Sequence, residues 1–421
     1  MNYINCVVPI ILFIGYYNID KISRCSTGKF VMDKFAFLED KLKELKNADL
    51  LRKLRCIGSA QGPVVRFEGD RAEKILFCSN NYLNLAGDPK VIAAVTEAVK
   101  QYGYGAAASR LVSGTMTPHI EVEKAFAKFF GTEATLLFPS GWTANEAVLK
   151  TIPQAGDIVL LDRLDHASII DATRAGEAEF RTYRADNLGR LEKLLADKKY
   201  NRRFIVTESV FSMDGNTADL KKFVKLKKAY DAILIVDEAH ALGCLGETGA
   251  GLAQELGLLS EVDIIVAPLG KAIAATGAIV AGKKTVIDYL INKARAFIYT
   301  TAPSPANCAA ILAALEIVKT EPTRREKLTA NAEYLRTRLG KLGLDTGDST
   351  THIIPVIIGS SKDTLAISKE LYDRGFFIAA IRPPTVPAGS ARLRISLQSG
   401  HTKEQLDSLC DVLKEVINPP N

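Results

Sequence analysis

The stretch DIIVAPLGKAIAATGAIVAG, residues 263–282, sets one lysine between two apolar runs. The first run ends at Gly270, Lys271 follows, and small residues lead into the second run. A short, continuously apolar run rich in Val and Ile is typical of a strand that is buried on both faces of a sheet. Because lysine is rarely buried unless it is paired or functional, this stretch predicts an interior sheet with a chemically active amine at its edge.

Similar runs precede this stretch, and each is bounded by turn residues: TLLFPSG (135–141), DIVLLD (157–162), RFIVTES (203–209) and AILIVDEAH (232–240). Helical patterns such as TADLKKFVKLKKAY (217–230) separate them. Strands that alternate with helices predict a mostly parallel sheet in an α/β fold.

The 421 residues are 47% hydrophobic and 24% charged, which is ordinary for a globular protein. We predict an extension over 1–31 that is not part of the fold, a helical segment over 32–75, a large α/β domain over 76–304 and a small α+β domain over 305–421. The apolar part of the extension, VVPIILFIGYY (7–17), is shorter than a membrane span. A short membrane-surface anchor stays open as the alternative.

The charge and cysteine patterns exclude several classes of function. The net charge of +6 is well mixed along the chain, so it does not indicate a nucleic-acid-binding protein. Seven scattered cysteines without a C-x-x-C pair favour a reducing, cytoplasmic location over disulfides or a metal site. Gly270-Lys271 is not a P-loop, because Ala272 stands where Ser or Thr is required.

Polar residues follow the predicted strands at their carboxyl ends, where open α/β sheets bind ligands. These residues are His166, Glu208, Ser212, Asp237, His240 and Lys271. A desolvated lysine has a lowered pKa and can form a Schiff base. With pyridoxal phosphate, Asp237 suits the pyridine nitrogen, His166 can stack on the ring and His240 can bond its O3′ oxygen. The combination predicts a pyridoxal phosphate enzyme.

Several longer motifs make this chain resemble one family from about residue 32 to the C-terminus. They are FCSNNYLNL (77–85), SRLVSGTMTPHIEVE (109–123), FPSGWTANEAV, DRLDHASIIDA, TESVFSMDG, VDEAHALGCLGETGAG and IRPPTVPAGSARLRISL (381–397). These motifs are similar to those of the α-oxoamine synthases, which are fold-type-I pyridoxal phosphate enzymes with a large sheet domain and a smaller C-terminal α+β domain.

The resemblance implies a role for each matching residue. Lys271 would hold the cofactor as a Schiff base and act as the catalytic base, with His166 and Asp237 as further catalytic groups. Cofactor contacts are implied for Gly141, Trp142, His166, Glu208, Ser212, Asp237, His240 and Lys271, and for Thr300 and Thr301 of a second subunit. Substrate contacts are implied for Arg52, Asn80, His166, Thr385 and Arg394. Family members are homodimers.

The last motif, 381–397, implies the biotin-pathway activity of that family. In this reaction L-alanine condenses with a pimeloyl thioester of CoA or an acyl carrier protein, giving 8-amino-7-oxononanoate, CO₂ and the free thiol. Two alternatives stay open: a glycine-using acyltransferase similar to 2-amino-3-oxobutyrate CoA ligase, and a cofactor-poor relative without enzymatic activity.

The chain departs from the family pattern at several positions. Pro268 replaces the usual Thr or Ser that donates to the cofactor phosphate, and a lost hydrogen bond to a charged group costs about 1.5–3 kcal/mol. Alanines replace common family glycines at positions 107, 108 and 274, and NDYLGL has become NNYLNL. We expect weaker phosphate binding from the change at position 268.

Overall fold

The computed structural model describes residues 22–24, 30–185 and 187–417, in two compact units, 1–56 and 57–421. In the first unit, strand β1 (Ile22–Arg24) pairs antiparallel with β2 (Phe30–Met32), and helix α1 spans Ala36–Asn47. Most of the predicted extension, 1–31, lies outside the described residues. The segment predicted to be helical, 32–75, is a helix only over α1, because glycines and Pro63 interrupt the chain from residue 58 onward.

The second unit contains the remaining elements. Its strands are β3 (Val64–Val65), β4 (Lys74–Leu76), β5 (Ala134–Phe138), β6 (Ile158–Asp162), β7 (Glu179–Tyr183), β8 (Arg203–Glu208), β9 (Ile233–Asp237), β10 (Ile264–Pro268), β11 (Ala278–Gly282), β12 (Ile353–Gly359), β13 (Phe376–Phe377), β14 (Ala379–Ile381) and β15 (Ala391–Ser396). Its helices are α2 (Pro89–Tyr102), α3 (Thr117–Phe130), α4 (Gly141–Thr151), α5 (Ala167–Arg174), α6 (Leu188–Leu195), α7 (Leu220–Tyr230), α8 (Leu252–Glu255), α9 (Lys284–Lys293), α10 (Arg295–Ile298), α11 (Pro305–Thr320), α12 (Thr323–Lys341), α13 (Ser361–Asp373) and α14 (Lys403–Ile417).

The largest sheet has seven strands in the order β5-β11-β10-β9-β8-β6-β7. Its strands run parallel except β11, which is antiparallel to both of its neighbours. Along β6 the side chains alternate between two apolar clusters: Ile158 and Leu160 pack on one face, and Val159 and Leu161 on the other. Burial on both faces explains the continuously apolar runs, and the predicted mostly parallel sheet is confirmed.

The C-terminal part of the second unit forms smaller sheets. β12, β15 and β14 make one antiparallel sheet, and β13 pairs with β4, which pairs with β3. Residues 57–421 therefore make one compact unit in which early and late segments share a sheet. The boundaries at 76 and 305 stay predictions. No helix in the described ranges is both long enough and apolar enough to span a bilayer.

Three replacements of common family glycines adopt left-handed backbone conformations. φ is +57° at Ala107, +56° at Ala274 and +55° at Asn84. Asparagine tolerates this region, whereas in alanine the Cβ crowds the following carbonyl at a cost of about 1–2 kcal/mol. The two alanines therefore store backbone strain that a glycine would not.

We predict that Ala107→Gly stabilises the protein by about 0.5–1 kcal/mol. The relief of left-handed strain exceeds the entropy that glycine adds to the unfolded chain, and the exposed side chain leaves no packing to lose. The measurement is the free energy of unfolding in urea. The matched control is Ala93→Gly at an exposed position of α2, which should destabilise by about 1 kcal/mol. If both substitutions changed the free energy of unfolding by the same amount, backbone strain at Ala107 would be contradicted.

Candidate active site

The carboxyl ends of β5, β6, β8, β9 and β10 surround a cavity of about 300 Å³. Its lining residues are Asn80, Ser140, Gly141, Trp142, Asn145, His166, Ser168, Glu208, Asp237, Ala239, His240, Pro268, Gly270, Lys271, Thr276 and Gly277. Parallel strands bring their carboxyl ends to one edge, which is why residues more than a hundred positions apart meet here.

The carboxylate of Asp237 is buried at the end of β9, with 4% of the residue exposed. Its Oδ1 accepts a hydrogen bond from the Ala239 N–H at 2.9 Å, and its Oδ2 accepts one from Asn145 Nδ2 at 3.0 Å. These donors compensate the burial of an ion and fix the plane of the carboxylate. Sequence analysis missed Asn145 because it lies inside a helix, α4, rather than at a strand end.

Two further titratable groups, Lys271 and Glu208, lie beside Asp237 in the cavity. Burial lowers the pKa of the Lys271 amine, although Asp237 and Glu208 oppose that shift. Burial, reinforced by the Asp237 charge, raises the pKa of Glu208 to about 8. Among the described residues, Glu208 Oε1 has no hydrogen-bond partner. Beside the Asp237 carboxylate, the site therefore holds a second carboxyl group whose pKa lies above its ordinary value and an amine whose pKa lies below its ordinary value.

His166 stands at the open rim of the cavity, where its side chain is exposed. Its Nδ1 lies 2.8 Å from Ser168 Oγ and accepts the Ser168 backbone N–H at 3.2 Å. Ser168 Oγ in turn accepts from Asn145 Nδ2 at 3.0 Å, so its own hydrogen is available to Nδ1. Partial desolvation of the imidazole at the rim lowers the pKa of His166; the nearby Asp237 opposes this shift and the Lys271 charge adds to it. A neutral imidazole thus leaves its ring face open to a ligand.

The N-terminus of α4 closes one corner of the cavity. Ser140 caps this helix by accepting from the Thr143 N–H at 3.1 Å, and the N–H groups of Gly141 and Trp142 come before the first intrahelical bond. A Cβ built on Gly141 would lie 2.8 Å from Pro268 Cγ, so only glycine fits beside this proline. Free N–H groups and the helix dipole make this corner suitable for a phosphate.

A second group of hydrogen bonds continues from His240. Its Nδ1 lies 2.7 Å from the Tyr82 hydroxyl, which also lies 3.0 Å from Asn80 Oδ1. Asn80 Oδ1 is 3.5 Å from Arg394 Nη1, and Arg394 Nε donates to the Ser212 carbonyl at 2.5 Å. The sequence gives no signal for Tyr82, although Asn80 of the same motif is predicted, because Tyr82 contacts the cavity residues Asn80 and His240 without lining the cavity itself.

The other predicted site residues lie elsewhere. Thr300 and Thr301 follow α10 and are not part of the cavity lining, and Thr301 is exposed. Thr385 is exposed in a turn, where its N–H donates to the Arg382 carbonyl at 3.0 Å. Arg52 has an exposed side chain in the unit 1–56. Ser212 and Arg394 are also not part of the cavity lining, and the roles of all the predicted site residues stay predictions.

Comparison with known proteins gives close relatives along nearly the whole chain. The 8-amino-7-oxononanoate synthase of Citrifermentans bemidjiense is 42% identical over 380 residues, 90% of this chain and 97% of the relative. That of Anaeromyxobacter dehalogenans is 44% identical over 376 residues, 89% and 94% of the two chains. Among solved structures, the serine palmitoyltransferase of Sphingomonas wittichii matches with a TM-score of 0.85 at 29% identity, covering 91% of this chain and 97% of the other. An 8-amino-7-oxononanoate synthase of Francisella tularensis matches with a TM-score of 0.72 at 29% identity, covering 82% and 98%.

The donors in the cavity fit pyridoxal phosphate. The chain offers an amine at Lys271 for the aldehyde, an oriented carboxylate at Asp237 for the pyridine nitrogen and helix N–H groups at Gly141 for the phosphate. Glu208, which also lines the cavity, has a buried carboxyl oxygen, Oε1, with no hydrogen-bond partner among the described residues. The predicted cofactor is pyridoxal 5′-phosphate, and the comparisons confirm it.

We predict that Pro268→Thr tightens cofactor binding at least about tenfold, because the new hydroxyl adds a donor beside the phosphate corner. The measurement is the dissociation constant from absorbance titration of the cofactor-free protein. Pro268→Val is the matched control: it removes the same ring and has the shape of threonine but no hydroxyl. An equal gain in both variants would show that the ring itself, and not the missing donor, weakens binding.

The family assignment rests on agreement between sequence and fold. The family model described as aminotransferase class I and II matches residues 72–413. The relatives named above exceed 40% identity over about nine tenths of the chain, and the solved structures share its fold. The resemblance to the α-oxoamine synthases is thus confirmed. The chain belongs to the aminotransferase class I and II family and, within it, to the family of the 8-amino-7-oxononanoate synthases.

Proposed function

We propose that this chain is a pyridoxal phosphate-dependent acyltransferase of biotin biosynthesis. It joins L-alanine to a pimeloyl thioester and releases 8-amino-7-oxononanoate, CO₂ and the free thiol. The observation that carries this proposal is the match, at 42–44% identity over about 90% of the chain, to proteins named for that product. The cavity supports it, because the acid, base and stacking residues lie together at one sheet edge.

Different residues of this chain carry out different parts of the proposed reaction. When bound, the cofactor supplies a ring that accepts electron density from the substrate Cα. Lys271, whose pKa burial lowers, takes the proton from Cα of alanine and later returns one. Asp237 holds a positive charge on the ring nitrogen, and its bonds from Asn145 and Ala239 keep it in place during this transfer.

Two further residues, Arg394 and His166, would position the substrate and exchange a proton with it. Arg394 is buried and would bind the carboxylate of alanine, the group that leaves as CO₂. His166, neutral and exposed at the rim, is placed to exchange a proton during loss of CO₂. The new carbon–carbon bond forms between Cα of alanine and the thioester carbonyl, and the thiolate leaves with a proton. Mild positive net charge suits an acidic acyl carrier protein as the thioester donor.

We propose that the chain acts as a homodimer. Two loops carry exposed apolar side chains: Tyr104 and Val112 lie on one, where residues 110–114 form a π-helical turn, and Tyr299 lies on the other. The Ala302 N–H donates to the Ala108 carbonyl at 3.0 Å, so these loops form one continuous surface. A second copy would cover this apolar surface and present Thr300 and Thr301 to the neighbouring site.

We predict that purified protein forms 8-amino-7-oxononanoate and CO₂ from L-alanine and pimeloyl thioester, and that glycine replaces alanine poorly. Mass spectrometry of the product and trapped CO₂ give the measurement. Lys271→Ala should abolish turnover and the absorption band that borohydride bleaches in the wild-type protein. Preference for glycine would instead favour the 2-amino-3-oxobutyrate CoA ligase reaction, and a colourless wild-type protein would favour a non-enzymatic relative.

For the dimer we expect Val112→Asp to yield monomers, since it buries a charge without a partner at the contact. Light scattering measures the mass, for which one chain is 45.8 kDa. Val112→Thr keeps the shape of the side chain without a charge and should leave the dimer intact. A dimer that persists in Val112→Asp would place the contact elsewhere on the molecule.

A further inference from the structure

Tyr82 connects two sides of the cavity through one hydroxyl group. Its side chain is fully buried and packs edge-on against His352, with ring centroids 4.1 Å apart. This packing holds the hydroxyl between Asn80 Oδ1, at 3.0 Å, and His240 Nδ1, at 2.7 Å. Both neighbours line the cavity, whereas Tyr82 does not.

The three groups share two hydrogens. Burial raises the pKa of Tyr82, so the phenol keeps its hydrogen. Burial also lowers the pKa of His240 well below its ordinary value, and the Lys271 and Arg394 charges add to this. His240 is therefore a neutral imidazole with one ring hydrogen, on either Nδ1 or Nε2. The direction of the Tyr82 hydroxyl decides which nitrogen carries it.

Asn80 fixes that direction. Arg394 Nη1 lies 3.5 Å from Asn80 Oδ1, and a guanidinium can only donate, so the amide oxygen is the end that faces both Arg394 and Tyr82. An amide oxygen 3.0 Å from a phenol requires the phenol hydrogen between them. Tyr82 Oη is then left as an acceptor toward His240, and only an Nδ1–H can satisfy the 2.7 Å contact.

We propose that Tyr82 is a positioning residue that fixes His240 as its Nδ1–H tautomer, so that Nε2 presents a lone pair to the cofactor cavity. Toward the cofactor, Nε2 would accept a hydrogen bond from the protonated ring oxygen rather than donate one to its anion. The inference rests on the cofactor assignment but not on the substrates of the proposed function, so each can fail without the other.

The test is ¹⁵N NMR in the solid state on full-length protein labelled at histidine, both with and without pyridoxal phosphate. Only five histidines contribute, and the His240 signal is the one lost in His240→Gln. We expect a protonated Nδ1 in the wild-type protein. In Tyr82→Phe, which keeps the ring packed on His352, Nδ1 loses its acceptor and the hydrogen moves to Nε2. A protonated Nε2 in the wild-type protein, or an unchanged signal in Tyr82→Phe, would overturn the proposal.

Two further variants distinguish a specific effect of Tyr82 on His240 from the effect of removing any buried tyrosine hydroxyl. Tyr183→Phe removes another buried tyrosine hydroxyl, which donates to the Val206 carbonyl at 2.9 Å, and should leave the His240 signal unchanged. Asn80→Leu leaves Tyr82 in place but removes the acceptor, so the phenol turns to His240 and Nε2 becomes protonated. If Tyr82→Phe does not fold, Asn80→Leu alone decides, since an unchanged tautomer there overturns the proposal.

The loaded protein gives a second readout that does not depend on turnover. A lone pair on Nε2 stabilises the protonated ring oxygen of the cofactor. Tyr82→Phe should therefore lower the fraction of bound cofactor with a protonated oxygen, seen as a change in the ratio of its two absorption bands. An unchanged ratio would contradict the proposal, and Tyr183→Phe should match the wild-type protein.

Discussion

The buried carboxylate of Asp237 is the charge on which the rest of the site depends. An ion at the centre of a sheet edge is unfavourable unless donors and an opposite charge compensate it. Asn145 and the Ala239 N–H provide the donors, and Lys271 provides the charge. Burial raises the pKa of Glu208 and the same carboxylate reinforces that shift. At Lys271 the carboxylate acts in the opposite sense and opposes the lowering of the pKa by burial.

The seven-stranded sheet makes this arrangement possible because the carboxyl ends of its parallel strands lie at the same edge. β8 and β9 are paired so that Glu208 lies directly opposite Asp237. The loop after β10 holds Lys271, and the N-terminus of α4 packs directly against Pro268 at one corner of the cavity. Apolar clusters on both faces hold these strands in register, so the polar residues at their ends need few contacts of their own.

Two departures from the family pattern have different physical consequences: one concerns affinity for the cofactor, and the other concerns strain in the backbone. The proline at position 268 has no hydroxyl donor next to the phosphate corner, so we expect weaker cofactor binding with the amine and the carboxylate intact. The alanines at 107 and 274 keep the left-handed backbone that glycine would adopt without cost, so the shape of both loops is retained at the expense of strain. Shape is therefore preserved where the backbone conformation positions Lys271.

The sequence by itself determined the sheet and the identity of the central residues. Continuous apolar runs indicate burial on both faces, and the joint occurrence of Lys, Asp and His at the ends of several such runs indicates chemistry, which no one of them indicates alone. Only the tertiary structure revealed Asn145 and Tyr82, because a hydrogen bond between residues such as 82 and 240, 158 positions apart, leaves no local pattern. The distances from the Tyr82 hydroxyl to Asn80 and His240, from which the proposed His240 tautomer is inferred, likewise exist only in the folded chain.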